Sequence, residues 1–309
     1  MTIIIKENVP LAPLTTFNIG GAARYFVEAH SEDEIRESIA HARKLQAPFV
    51  ILGGGSNVLV PDPGITGLVV RIACQEHSFG GGELAADAGC NLIALIREAA
   101  QKGLGGWEKL AGIPGTLGGA VRGNAGAFGT EIKDFVTKVV ALDVETGMLK
   151  EFSNEICDFS YRHSFFKGHP EWIILHVRMR LNVIPSDISL YSIQETIAER
   201  EKRHLQNVQA AGSFFMNPVA PREVQELFER EKGQPARLGR VPAGWLIEKV
   251  GLKGATVGGA IASLQHPNYL VNTGNATAAD VQALAQKIKD TVRKEFGIQL
   301  EEEAEVLVV

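Results

Sequence analysis

The sequence predicts an α+β protein of more than one domain, and three observations carry that prediction. Residues 24–52 read as strand, helix, strand, ending directly in "GGGSN" at 53–57. Residues 135–183 read as a hairpin followed by one long strand. Near Pro185 the pattern changes to a charged helix, and the last third of the chain has its own helices and strands. A chain of 309 residues also exceeds what one core usually holds.

In order, "RYFVEA" (24–29) is a strand, and Ser31 opens a helix with Glu34 three residues on, as in a capping box. Ile35, Ile39, Ala42 and Leu45 give that helix one apolar face. "PFVIL" (48–52) is a buried strand and "ITGLVVRIA" (65–73) another. Asn91 caps a helix over 92–103, with Gly103 as its stop. The hairpin 135–153 turns at Glu145-Thr146-Gly147, and 171–183 is the long strand. A charged helix spans 189–205, and short helices follow at 222–230 and 243–250. Thr277 and Asp280 open a last helix whose apolar face is Val281, Leu284, Ile288, Val292 and Phe296. The chain closes on a strand-like tail.

Composition excludes some functions. Hydrophobic residues make up 45% and charged residues 22%, the balance of a globular protein. A net charge of −5 leaves no basic footprint for nucleic acid. Cys74, Cys90 and Cys157 lie far apart with no C-x-x-C, which argues against a metal site or a disulfide framework and fits a reducing cytosol. The N-terminus has no basic region leading into an extended apolar segment, and no apolar run approaches the roughly 20 residues of a membrane span. The expectation is a cytoplasmic protein without a membrane partner.

Two glycine-rich stretches stand out. Residues 111–129, "AGIPGTLGGAVRGNAGAFG", hold seven glycines in nineteen residues. Either these are tight turns and close strand packing, or they leave backbone N–H groups bare for a ligand. "GGGSN" poses the same choice. It is neither the Rossmann fingerprint nor the P-loop. Two such stretches separated by a helix suit a long ligand touching backbone twice, as a dinucleotide does. "YRHSFFK" (161–167) sets Arg162 and Lys167 among aromatics, which suits a carboxylate or phosphate, or simply a charged turn. "GSFFMNP" (212–218) offers Ser213 as a proton donor or as a cap. In "LEEEAE" (300–305), strand alternation puts Glu301 and Glu303 on one face and Glu302 on the other.

These stretches, with "TTFNIGGAARYFVEA", "ILGGGSNVLV", "AGWLIEKVGLKG", "HPNYLVNTGNATAADV" and "FGIQLEEE", resemble the UDP-N-acetylenolpyruvoylglucosamine reductases of bacterial peptidoglycan synthesis, in that family's order and over nearly the whole chain. The resemblance implies a vanillyl-alcohol-oxidase-like FAD-binding fold of two subdomains plus a third α+β substrate-binding domain. It implies subdomains at 1–64 and 65–186, a substrate domain at 187–296 and a tail at 297–309 carrying a catalytic glutamate. FAD would be held non-covalently by Gly53, Gly54, Gly55, Ser56 and Asn57, and by Gly112, Ile113, Pro114, Gly115, Thr116, Gly118, Gly119, Asn124 and Gly126. The two tracts contain neither His nor Cys to attach flavin.

The reaction implied uses NADPH as co-substrate and a sugar nucleotide as substrate: hydride passes to C3 of the enolpyruvyl group and a proton to C2. Arg162 would hold the substrate carboxylate, Ser213 donate the proton and Glu303 assist. Tyr161, Asn217 and Lys253 would contact substrate, with no metal. The short segment between Tyr161 and Ser213 suggests the family's type II, and a monomer or weak oligomer is expected. Met216 departs from the usual basic residue before Asn-Pro, and Arg122, Asn207 and Pro267 depart as well. Two alternatives stay open: another flavin oxidase or reductase on the same scaffold, and a flavin-binding protein without catalysis.

Overall fold

The structure is a computed structural model that describes residues 3–202 and 208–308. The expected helix 189–205 is observed as Ser186–Lys202; its last three positions, with Gln206 and Asn207, lie outside the described residues.

The first body is a four-stranded sheet. β1 (Lys6–Pro10) runs antiparallel to β2 (Ala22–Ala29). α1 (Glu32–Lys44) crosses to β3 (Phe49–Leu52), and the chain continues through β4 (Val58–Leu59) into β5 (Ile65–Ile72). β5 inserts between β2 and β3, parallel to both. The expected division between residues 64 and 65 therefore needs correction, because it would cut away an interior strand of this sheet. Parallel pairing joins segments distant in sequence, which local patterns do not reveal. Ser31 Oγ accepts the Glu34 N–H at 3.2 Å, while the Glu34 carboxylate takes the N–H of His30, not of Ser31. Ile35, Ile39 and Ala42 are buried as expected, but Leu45, past the last turn, is 41% exposed.

The second body is antiparallel. Its strands are β6 (His77–Gly80), β7 (Glu83–Asp87), β8 (Val136–Asp143), β9 (Leu149–Ser153) and β10 (Trp172–Arg180), in the order β9-β8-β10-β7-β6. Between β7 and β8 come α2 (Leu92–Gln101), capped by Asn91, and the short α3 (Leu117–Arg122). Asp143 closes the β8–β9 turn by accepting the Glu145 N–H at 2.8 Å. Leu84, Val139 and Val177 share one core with Leu95 and Ile96 of α2 and Ile35 of α1, so the two bodies are welded together.

α4 (Ser186–Lys202) does not open the third body, as the boundary at 186/187 would have it. Its Ile193 is buried in that same core, and Ser189 donates to the buried carboxylate of Glu108 at 2.5 Å. The third body has α5 (Arg222–Lys232), α6 (Ala243–Lys249), a small antiparallel sheet of β11 (Thr256–Val257), β12 (Ala260–Ala262) and β13 (Leu270–Asn272), and α7 (Ala278–Phe296) against it. Val281, Leu284, Ile288 and Val292 of α7 are buried. The tail is not separate. Ile298, Leu300 and Ala304 complete the third core, and β14 (Glu305–Val306) returns to pair parallel with β4.

Thr277 and Asp280 form a reciprocal capping box at the start of α7. Thr277→Ala is expected to destabilise the protein by about 1 kcal/mol, read as a lower urea midpoint at unchanged slope.

Candidate active site

The two glycine-rich loops touch. Ser56 Oγ donates to the Pro114 carbonyl at 2.9 Å, and a Cβ on Gly54 would lie 2.6 Å from Gly115 Cα. Gly115 itself has φ +123°, a conformation open to glycine. No side chain larger than hydrogen fits between the loops, so packing alone demands these glycines. The same approach leaves donors bare: among the described residues, the N–H groups of Gly54, Gly55, Ser56, Gly115 and Thr116 have no hydrogen-bond partner. Gly119, on the outer side of α3, is exposed and faces open space apart from Thr116 Oγ1 at 3.5 Å from an added Cβ. A surface of unpaired N–H groups fits the pyrophosphate of a dinucleotide.

Not every residue expected in the cradle faces outward. Asn124 is 0% exposed, and its amide donates to the Ser160 carbonyl at 2.8 Å and accepts from Lys133 N–H at 3.3 Å. The Asn57 amide donates to the Glu303 carbonyl at 2.9 Å, and the Asn57 carbonyl accepts the Glu305 N–H at 3.0 Å. Its side chain is engaged by the tail.

Arg162 has φ +58°, a left-handed conformation that costs a non-glycine residue about 1 kcal/mol. Its side chain is held from three sides. Nη2 donates to the Gly126 carbonyl at 2.9 Å, the guanidinium lies 5.1 Å from the Tyr161 ring centre, and Nε sits 2.7 Å from Glu303 Oε1. That last contact is ionic: Nε has the distance of an ion pair without the alignment of a hydrogen bond. The Tyr161 ring also carries Arg240, at 4.4 Å from its centre. Arg240 also donates to the Asn217 carbonyl at 2.7 Å, and the Asn217 N–H reaches the Tyr161 hydroxyl at 3.3 Å. Sequence reasoning passed over Arg240, which sits in the unremarkable "RLGR" stretch and acts only across the interface.

Ser213 precedes an extended segment that the tail pairs with. Glu303 N–H donates to the Phe214 carbonyl at 2.8 Å, and Met216 N–H to the Glu301 carbonyl at 2.9 Å. This register separates the three tail acids. Glu302 pairs with Lys289 of α7 at 2.5 Å, Glu301 is exposed, and Glu303, its side chain 18% exposed, meets Arg162. Burial pushes the Glu303 carboxyl above the usual carboxylate range, and Arg162 and then Lys167 pull it back. Arg122, one of the departures, pairs with Glu305 at 2.7 Å, and Lys167 joins them at 3.5 Å from Glu305.

Arg162 opens to a cavity of about 630 Å³ whose lining includes Tyr161, Lys167, Met216 and Arg240. Ser213 opens to a second cavity of about 380 Å³ with Lys232, Trp245, Glu248 and His266. Asn217 lines both, so the structure brings Arg162 and Ser213 to neighbouring cavities and not to one. Lys253 is exposed and reaches the second cavity only through Glu248, at 2.9 Å.

Residues 23–153, with the glycine loop on its parallel sheet, match the family model of an FAD-binding domain, and with the reductase relatives that follow this places the chain among FAD-dependent oxidoreductases. Residues 203–307 match the model described as the UDP-N-acetylenolpyruvoylglucosamine reductase C-terminal domain. Reductases of that name from Carboxydothermus hydrogenoformans and Solibacter usitatus are 38% and 35% identical, covering 98% of this chain and 94% and 96% of theirs. The one from Pseudomonas aeruginosa is 35% identical, covering 98% of this chain and 99% of its own. The crystal structure of the Thermus caldophilus enzyme superposes with a TM-score of 0.78 at 33% identity, covering 98% of this chain and 99% of that one. The chain belongs to the UDP-N-acetylenolpyruvoylglucosamine reductase family.

Arg162→Met leaves the largely buried Glu303 with only Lys167 to draw its carboxyl down, so that carboxyl moves further up. A raised carboxyl favours folding while protonated and loses that contribution as pH rises through the folded value. The variant is expected to be less stable than the parent by up to about 3 kcal/mol at pH 8, with a smaller deficit at pH 5. Urea midpoints at the two pH values check this.

Proposed function

We propose that this chain reduces UDP-N-acetylglucosamine enolpyruvate to UDP-N-acetylmuramate with NADPH, as a cytoplasmic step of peptidoglycan precursor synthesis, working as a monomer or weak oligomer. One observation carries the reading. A largely buried glutamate, its side chain 18% exposed, and an arginine meet at 2.7 Å beside the Ser213 segment, and the tail that delivers the glutamate is bonded to the glycine loop. Among the described residues, no helix is long and apolar enough to cross a membrane.

FAD, when bound, supplies the hydride carrier between NADPH and C3 of the enolpyruvyl group. The residues that would hold it are the two loops, chiefly through the backbone N–H groups of Gly54, Gly55, Ser56, Gly115 and Thr116, with Gly53, Gly112, Ile113, Pro114, Gly118, Gly119 and Gly126 shaping the surface. Addition of hydride at C3 leaves negative charge spread over C2 and the carboxylate of the substrate. Arg162 binds that carboxylate and stabilises the charge as it grows. Ser213 delivers a proton to C2. A serine hydroxyl is a weak acid, so the alkoxide it leaves needs a proton in turn. Glu303, whose burial favours the protonated form, supplies it or assists at C2 directly. Tyr161 and Asn217 orient the enolpyruvyl end, and Lys253 meets the more distant part of the sugar nucleotide.

The test is anaerobic and spectroscopic. Flavin bands are expected to bleach with NADPH and return on adding the enolpyruvyl sugar nucleotide. In Ser213→Ala the bleaching is expected to remain and the return to slow by about 10²- to 10⁴-fold. Bands that bleach and never return in the parent protein would sink the assignment of substrate, and a Ser213→Ala protein as fast as the parent would sink the role of Ser213.

A further inference from the structure

Ser213 is followed by a segment that belongs to no sheet, yet Phe214 and Phe215 are buried. Their backbone groups must find partners inside the protein. The tail satisfies one side, through Glu303 N–H on the Phe214 carbonyl. The other side is satisfied by one residue, Asn268. Its Oδ1 accepts the Phe215 N–H at 2.9 Å, its Nδ2 donates to the Phe215 carbonyl at 2.8 Å, and its own carbonyl accepts the Phe214 N–H at 2.7 Å. Asn268 is 2% exposed, so water does not compete for these bonds.

We infer that Asn268 is a positioning residue for the proton-transfer half of the reaction: by gripping both polar groups of Phe215 it fixes the backbone that carries Ser213. The inference rests on the reading of Ser213 as proton donor. The chemistry of the side chain supports it. A primary amide presents one donor and one acceptor side by side, matching the N–H and C=O of a single extended residue, so it mimics a neighbouring strand. An aspartate there keeps an acceptor for the Phe215 N–H but turns a second acceptor toward the Phe215 carbonyl. A catalytic group displaced by about 1 Å loses up to about a hundredfold in rate.

The experiment is a double-mutant cycle on the flavin-loaded protein, with Asn268→Asp and Ser213→Ala, following each half-reaction by stopped flow. Asn268→Asp is expected to leave flavin reduction by NADPH unchanged and to slow reoxidation by the enolpyruvyl sugar nucleotide about 10- to 100-fold, in kcat more than in KM. The solvent deuterium effect on reoxidation is expected to rise, because proton delivery becomes limiting. In the Ser213→Ala background Asn268→Asp is expected to change the rate less than about twofold, since a residue acting through Ser213 has nothing left to position. Equal slowing in both backgrounds would mean a general structural role and overturn the inference, as would no slowing at all. A Ser213→Ala protein with unimpaired reoxidation would overturn the donor assignment and the positioning role together. If Asn268→Asp does not fold, Asn268→Ser, which keeps a shorter donor and acceptor, takes its place in the same cycle with the same outcomes.

Discussion

The site depends on one stretch of backbone, Phe214 to Met216, whose two phenylalanines are buried without a sheet to lie in. An unpaired buried N–H or C=O costs about 1–3 kcal/mol, so a bare extended segment could not survive here. It persists because distant parts of the chain act as its neighbours: Asn268 from the loop before β13, and residues 301–304 from the tail. The tail is in turn paired with β4 and held by Asn57. Ser213, Glu303 and the glycine loop are therefore joined by main-chain bonds. Their relative positions are set by backbone geometry and not by the rotamers of long side chains.

Electrostatics then works on a fixed frame. Glu303 is buried enough to resist ionisation and close enough to Arg162 to tolerate it. Arg162 meets that carboxylate from a left-handed backbone, braced by the Tyr161 ring that Arg240 also approaches. Any anion binding at Arg162 must do so in competition with Glu303. A carboxylate drawn off its arginine in a buried place moves toward its protonated form. The same ion pair thus links anion binding to proton affinity, with no moving loop required.

What the sequence disclosed was what is local. Ser31, Asn91 and Thr277 cap helices because a cap is a contact three residues long. Alternation put Glu301 and Glu303 on one face and Glu302 on the other; Glu302 turns to Lys289, but Glu301 is exposed and only Glu303 meets Arg162. The failures are non-local. β5 looked like the start of a new body because parallel partners lie far off in sequence, and α4 looked like part of the third body because its buried face carries few large apolar residues. Arg122 read as an oddity and the extra tail acids as another. Only the fold shows that Arg122 and Glu305, far apart in the chain, are one ion pair. Asn268 lay within a stretch that matched the family, yet an asparagine in a loop looks the same in sequence whether it faces water or grips a buried strand.

The glycines were legible as a feature but ambiguous in cause, and the structure makes the two causes one. Gly54 and Gly115 are small because the loops press against each other, a packing demand that holds with or without a ligand. Yet loops pressed that tightly run through bends with no ladder of their own, so the N–H groups of Gly54, Gly55, Ser56, Gly115 and Thr116 have no acceptor among the described residues. Packing creates the unmet donors, and a cluster of unmet backbone donors on a partly sheltered surface suits an anion. A side chain larger than hydrogen at Gly54 would damage both at once, because it would part the loops before it touched any cofactor.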